Sequence, residues 1–266
     1  KNVMTLDIQN NKIASLPSSI GDLKQLMYFN AYNNKISELP KEIGEMIYLF
    51  KLQLDNNLLT SLPSEIGNLQ YLKELRLDNN SLTSLPSTIG NLPKLRTLGL
   101  EENKLTALPA EIGNLAALTY LDLRGNELTS IPVEIGNLGK LDNLGLRDNK
   151  LTSIPSAIGN LTKLETLDLD ENGLSSLPPE IGELENLEGL YLNVNSFTSL
   201  PPEIGKLTNL KDVELRQNKI KSLPSTFSGL SSLKSVDLQF NGISESEEAD
   251  IRATLPSGVR TTFFKY

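Results

Sequence analysis

The chain has 266 residues, enough for one large domain or two small ones, and its 33 acidic against 25 basic side chains give a formal net charge of -8. It has no Cys and no His, which excludes disulfides, thiolate or histidine metal sites and the Ser-His-Asp and Cys-His nucleophilic systems. The acidity argues against a nucleic-acid partner, whose phosphates need Lys and Arg, and no run of about 18 apolar residues marks a membrane span.

The first residues, 1–11, do not read as a signal peptide. A chain that starts with Lys rather than Met is compatible with a processed or trimmed piece of something longer. Secreted, cell-surface and cytoplasmic placements all stay open. From Val3 onward one pattern takes over. Asn11, Asn34, Asn57, Asn80, Asn103, Asn126, Asn149, Asn172, Asn195, Asn218 and Asn241 follow one another at a spacing of 23 residues without insertion or deletion. Around each stands the same frame, LxxLxLxxNxLxxLPxxIGxL, as in Leu72, Leu75, Leu77, Asn80, Leu82, Leu85, Pro86, Ile89, Gly90 and Leu92. Self-similarity at a fixed period is the mark of a stacked repeat.

Each part of the frame has a physical task. Leu75-Arg76-Leu77 alternates with period two, so it predicts a short strand with the Leu side chains inward and Arg76 outward. The Asn that follows offers one acceptor and two donors in a compact group. It is expected to satisfy the backbone of a buried turn and to bridge successive coils. LPxxIGxL returns the chain along the opposite side. There Pro86 sets the backbone and Gly90 is expected to relax the next corner. One coil cannot close a core, but stacked coils can. The expected architecture is a right-handed α/β solenoid with a parallel sheet on its concave face and irregular or 3₁₀ segments on its convex face. Eleven strands at roughly 4.8 Å each would span about 50 Å.

The ends depart from the frame. At the start there is almost no cap, so an open edge at Lys1 would be covered by preceding sequence or docked on something. Near the finish Phe227 and Ser228 replace the usual Ile and Gly, and the frame stops after Ile243. Ser244 or Ser246 is placed to cap a helix with Glu245, Glu247, Glu248 and Asp250 in its early turns. Ile251 and Leu255 are expected to cover the last coil. Pro256, Ser257 and Gly258 turn the chain, and Thr261 to Phe264 have strand character. The expected division is a solenoid of eleven 23-residue units over 1–243, the last partial, and a cap of helix, turn and edge strand over 244–266.

This unit resembles the 23-residue, LPxxIGxL class of the leucine-rich repeat proteins. That class is found in plant intracellular Ras-group-related proteins, Ras-binding scaffolds and bacterial surface or secreted proteins. The resemblance covers residues 3–243 and implies a horseshoe fold and a protein-binding role. It carries no catalytic residue and no cofactor, and it does not name the ligand, because the matching residues are those of the frame. The reading is therefore a non-enzymatic module that binds a protein or peptide on its concave face. The chain is expected to be monomeric unless the N-terminal edge docks. The alternative is a structural spacer, or the regulatory repeat part of a larger kinase, GTPase or ligase.

The outward sheet positions hold fifteen acids against ten bases, which favours a partner with some basic character. Aromatic residues are scarce, so their placement directs attention to two groups. The first joins Tyr120, Asp122, Arg124, Arg147, Asp168, Asp170 and Tyr191, with Gly99 and Gly145 expected to leave shallow hollows beside Asp122. The second joins Tyr28, Asn30, Tyr32, Gln53 and Asp55. Asp168, Asp170 and Glu171 lack the spacing of a calcium loop, so a solvated acidic face is the simpler reading.

Overall fold

Each coil forms one strand, which begins one residue before the LxL tripeptide and stops before its second Leu, as in Glu74–Arg76 rather than Leu75 to Leu77. A computed structural model describes residues 3–264. Lys1 and Asn2, at the expected open edge, and Lys265 and Tyr266, at the end of the expected cap, lie outside the described residues. The chain groups into two compact units, Lys1–Leu128 and Thr129–Tyr266. The first holds β1 (Thr5–Asp7), β2 (Tyr28–Asn30), β3 (Lys51–Gln53), β4 (Glu74–Arg76), β5 (Thr97–Gly99) and β6 (Tyr120–Asp122). The second holds β7 (Asn143–Gly145), β8 (Thr166–Asp168), β9 (Gly189–Tyr191), β10 (Asp212–Glu214), β11 (Ser235–Asp237), one helix, α1 (Glu245–Thr254), and β12 (Arg260–Thr262). Within each unit neighbouring strands run parallel and in register. Leu52 lies between Phe29 and Leu75, and Leu167 lies between Leu144 and Leu190. The central residue of each of these strands is fully buried.

The Asn column is a ladder of side-chain hydrogen bonds. Asn57 Nδ2 donates to the carbonyls of Leu54 and Asp55 in its own coil and of Ala31 in the coil before, at 3.0–3.2 Å. Its Oδ1 accepts from the Ile36 amide at 3.0 Å. Asn103, Asn126 and Asn218 repeat the pattern from buried positions. The burial is not uniform. Asn80, Asn172 and Asn195 are half-buried, and Asn11 is exposed, its Nδ2 donating to the Ile8 and Gln9 carbonyls of its own coil.

The LPxxIG segments form five-residue 3₁₀ turns such as Ser87–Asn91, each entered through an extended Pro, here Pro86 with φ -66° and ψ 146°. Leu85, Ile89 and Leu92 all face the core. The glycine of the turn serves a different purpose from the one its place near a corner suggested. A Cβ on Gly90 would meet the Glu111 carbonyl oxygen of the next coil at 2.3 Å, and one on Gly67 would meet the Thr88 oxygen at 2.4 Å. Close approach between successive turns requires the glycine.

The residue just before each ladder Asn adopts left-handed backbone, with φ between 51° and 58° at the ten non-glycine positions. Asn suits this conformation, and Asn10, Asn33, Asn56 and Asn79 take it in the first four coils. Val194 takes it with φ 54°, which a β-branched side chain resists. Val194→Asn is expected to stabilise the chain by roughly 1 kcal/mol. A denaturation midpoint at or below the parent's would show that the valine carries no strain.

At the end of the second unit, Ser244 is the residue that caps α1. It makes a reciprocal box with Glu247, whose Oε2 accepts from the Ser244 amide at 2.7 Å. Ile251 is buried, whereas Leu255 is only half-buried. The strand forms one residue earlier than the Thr261-Thr262 pair suggests and stops at Thr262, pairing with β11. Phe263 and Phe264 lie beyond it: Arg252 stands over the Phe263 ring at 4.9 Å, and Phe264 stacks on Phe240 at 5.4 Å.

Candidate functional site

The outward side chains of the strands form columns along each unit, fixed by the parallel register. Tyr120, Asp122 and Arg124 belong to the first unit, and Arg147, Asp168, Asp170 and Tyr191 to the second.

In the first unit the three residues lock together. Arg124 Nε and Nη2 bind the Asp122 carboxylate at 2.8 and 2.6 Å, and the Tyr120 hydroxyl donates to it at 2.9 Å. Arg124 also reaches Glu101 at 3.3 Å, and the Arg76 guanidinium lies 5.5 Å from the Tyr120 ring centre. Asp122 is only 2% exposed. Burial pushes its carboxyl up, but the Arg124 hydrogen bonds and charge outweigh burial and hold it below the usual range. Asp122 is thus an internal brace rather than an open contact. The hollow expected at Gly99 is filled as well: a Cβ there would meet both Asp78 carboxylate oxygens at 2.7 Å and Arg76 Cδ at 2.9 Å.

In the second unit Asp168 and Asp170 also brace the backbone. Asp168 Oδ1 accepts from the Asp170 amide at 3.1 Å, and Asp170 accepts from the Asn193 amide at 2.6 Å and Nδ2 at 3.0 Å. Asn193 Nδ2 in turn reaches Glu214 at 2.5 Å. Burial of Asp170, opposed by Asn193 and reinforced by Asp168 and Glu214, raises its carboxyl to about 6. Arg147 pairs with Glu171, with its side chain half exposed. Tyr191 lies over Gly189, where a Cβ would come within 2.9 Å of its hydroxyl. Asn193, Glu214, Glu101 and Arg76 were not among the expected site residues. They stand two or four places before a ladder Asn, so reading those two columns whole would have found them.

The second group comes together on β2, β3 and the turns after them. Tyr28 pairs in register with Lys51 and Asn30 with Gln53. Asn30 Oδ1 accepts from the Tyr32 amide at 3.1 Å, which fixes the turn, while the rings of Tyr28 and Tyr32 stay open, 48% and 36% exposed. Asp55 is buried beside them. Its Oδ1 accepts from the Asp78 amide at 3.3 Å.

Family models described as a leucine-rich repeat region match residues 88–144 and 133–255. Two further leucine-rich repeat models match 47–105 and 2–23. The chain belongs to the leucine-rich repeat family. No curated protein matches it. Among solved structures, this leucine-rich repeat chain is similar to a Leptospira interrogans LRR protein. The two share 34% identity over 97% of this chain and 83% of that one, with a TM-score of 0.52. It is also similar to a TDR receptor, at 31% identity over 99% of this chain and 47% of that one, with a TM-score of 0.83. A third is the plant peptide hormone receptor RGFR1 in complex with RGF2, at 29% identity, 98% and 50% coverage and a TM-score of 0.74. The chain thus spans most of the bacterial protein and about half of each receptor chain. Among the described residues no helix is long and apolar enough to cross a membrane.

The burial of Asp55 links the stability of this leucine-rich repeat chain to pH. Burial, and then the hydrogen bond and charge of Asp78, raise Asp55 to about 7. The folded chain therefore keeps a proton that the unfolded chain loses near pH 4, and stability contributed by Asp55 falls as pH rises from about 4 to 7. Asp55→Asn is expected to raise the denaturation midpoint at pH 8 and to leave it unchanged at pH 4. A pH-independent offset between the two proteins would refute this.

Proposed function

We propose that the chain is a non-catalytic binding module that takes a protein or peptide partner on the outward face of its strands. The observation that carries this reading is the pair of open rings, Tyr28 and Tyr32, held on β2 and its turn by strand pairing and by the Asn30 side chain. Such rings supply large contact area with few rotatable bonds, which an interface centre needs. Gln53 lies beside Asn30, and Asp55 braces the next turn. The same reading extends to the second unit, where Arg147 and Tyr191 offer a cation and a third ring above the Asp168 and Asp170 braces. In the first unit, Tyr120 and Arg124 would contribute a ring and a cation prearranged by the buried Asp122 brace. The similar structures support the class of partner: the plant peptide hormone receptor RGFR1 is in complex with RGF2, and the receptor kinase HAESA is in complex with a peptide hormone and a co-receptor.

The test is a pull-down from native-cell extract with the immobilised chain, followed by calorimetry on the captured protein. Tyr28→Ala with Tyr32→Ala, and separately Tyr191→Ala with Asp168→Lys, are expected to weaken binding while the fold persists. Glu134→Lys with Asn137→Ala, on the 3₁₀ side, is expected to change nothing. Loss of binding in the last pair alone would overturn the assignment.

A further inference from the structure

Just ahead of its strands, the first unit turns two rows of side chains to the flank of the sheet, seven and nine places before the ladder Asn. One row reads Met4, Met27, Phe50, Lys73, Arg96 and Thr119; the other reads Gln25, Tyr48, Tyr71, Lys94 and Ala117. Over the second to fifth coils both change from uncharged and apolar to basic, and in the sixth both are uncharged again. At the apolar end Met4, Gln25, Met27, Tyr48 and Phe50 line an open pocket of about 200 Å³. Its rim is bare, with Met4 55% and Tyr48 42% exposed. Tyr71 continues the apolar strip, its ring centre 5.6 Å from that of Tyr48 and 6.3 Å from that of Phe50.

At the basic end Lys73 Nζ lies 4.9 Å from the Phe50 ring centre and Lys94 Nζ 3.9 Å from that of Tyr71. None of Lys73, Lys94 and Arg96 has a carboxylate partner among the described residues. Glu74, on the neighbouring strand position, is already taken by Lys51 at 3.0 Å and Arg76 at 3.6 Å. These two rows hold three cations and no acid in a chain of net charge -8. The repeat itself does not impose this. In the second unit the same rows mix Asp142, Glu165 and Glu188 with Lys140, Lys163, Lys211 and Lys234, and Glu188 is paired with Lys211 at 2.6 Å.

We infer that this flank is a docking surface for an extended, acidic peptide segment with one apolar anchor. The pocket has the size for one side chain, and its two methionines can adapt their shape to it. From the pocket to Lys94 and Arg96 is two to three coils, roughly 10–14 Å, or about three to four residues of extended peptide. The segment therefore carries a Leu, Met or Phe followed, after two or three residues, by a pair of acids. Charge complementarity sets its direction along the stack. This surface is separate from the outward strand face.

The test is fluorescence anisotropy on the whole chain with three labelled twelve-residue peptides. The first has a Phe anchor, two Ser and then three acids. The second replaces the Phe by Ser, and the third replaces the acids by Lys. Only the first is expected to bind. Tyr48→Ser, which changes an exposed ring, should weaken it, and Lys73→Glu with Lys94→Glu should weaken it about tenfold and transfer the preference to the Lys peptide. Tyr191→Ala with Asp168→Lys should leave it unchanged, which separates this surface from the strand face. The inference is overturned by equal binding of the acidic and basic peptides, or by no binding of any peptide. Binding that the flank variants leave intact, or capture of phosphatidylserine vesicles in preference to the peptide, would overturn it as well.

Discussion

Asn126→Ala is expected to lower the midpoint of chemical denaturation far more than Asn114→Ala. Asn126 is buried and joins two coils. Its Nδ2 donates to the Leu100, Leu123 and Arg124 carbonyls at 2.9, 3.0 and 3.3 Å, and its Oδ1 accepts from the Leu105 amide at 3.0 Å. Truncation to Ala leaves the Leu105 amide without its acceptor inside the core, and it removes a donor from the buried Leu100 oxygen. Each buried group left unsatisfied costs roughly 1–3 kcal/mol, so a total of about 2–5 kcal/mol is expected. Asn114 is exposed at the end of its 3₁₀ turn. Its truncation should stay within about 0.5 kcal/mol. Equal midpoints for the two variants would mean that the ladder does not hold the coils together.

Gly90→Ala is the second large effect expected, and its cause lies in the neighbouring coil. A methyl group there would stand 2.3 Å from the Glu111 carbonyl oxygen and 3.0 Å from its carbonyl carbon. The obstacle is backbone, so no rotamer change relieves it, and the two 3₁₀ turns must separate. Overpacking of this kind costs about 1–3 kcal/mol, and more where the backbone is fixed from both sides. Gly139→Ala is the matched control, because no atom lies within 4 Å of its added methyl. The midpoint is expected to drop for Gly90→Ala and to stay within experimental scatter for Gly139→Ala. A tolerated alanine at Gly90 would show that the turns are free to slide apart.

The frame was readable in the sequence because it is periodic. Strand, ladder Asn, Pro and, in all but the last full unit, Ile recur at 23-residue intervals, and the inner coils give them closely similar surroundings. What varies from coil to coil was harder to read. Asp122 looked like an open contact because its column faces outward. Its burial depends on Arg124 two residues on, which folds back over it, and on Tyr120 two residues earlier. Gly99 looked like a recess, yet Asp78 and Arg76 of the preceding coil occupy the space. Long side chains choose their partners among several neighbours at similar distance, and spacing alone does not rank those choices. The flank rows escaped notice for another reason. They lie before the strand, where the repeat imposes no residue type, and only the packing of Tyr48, Phe50 and Tyr71 shows them as one strip.

The in-register strands also act as a ruler with a pitch of its own. Within a unit, equivalent side chains recur every roughly 4.8 Å from coil to coil. An extended peptide laid along the stack presents side chains on one side every two residues, or about 6.6 Å. The two scales drift out of phase at once and realign when three coils, about 14 Å, meet four residues, about 13 Å. A ligand lying in this direction therefore finds matched anchors about four residues apart, spaced by three coils on the protein. Contacts between those marks fall out of step and can contribute only through longer, adaptable side chains. Shifting a ligand's anchor by one residue would break the coincidence as surely as removing it.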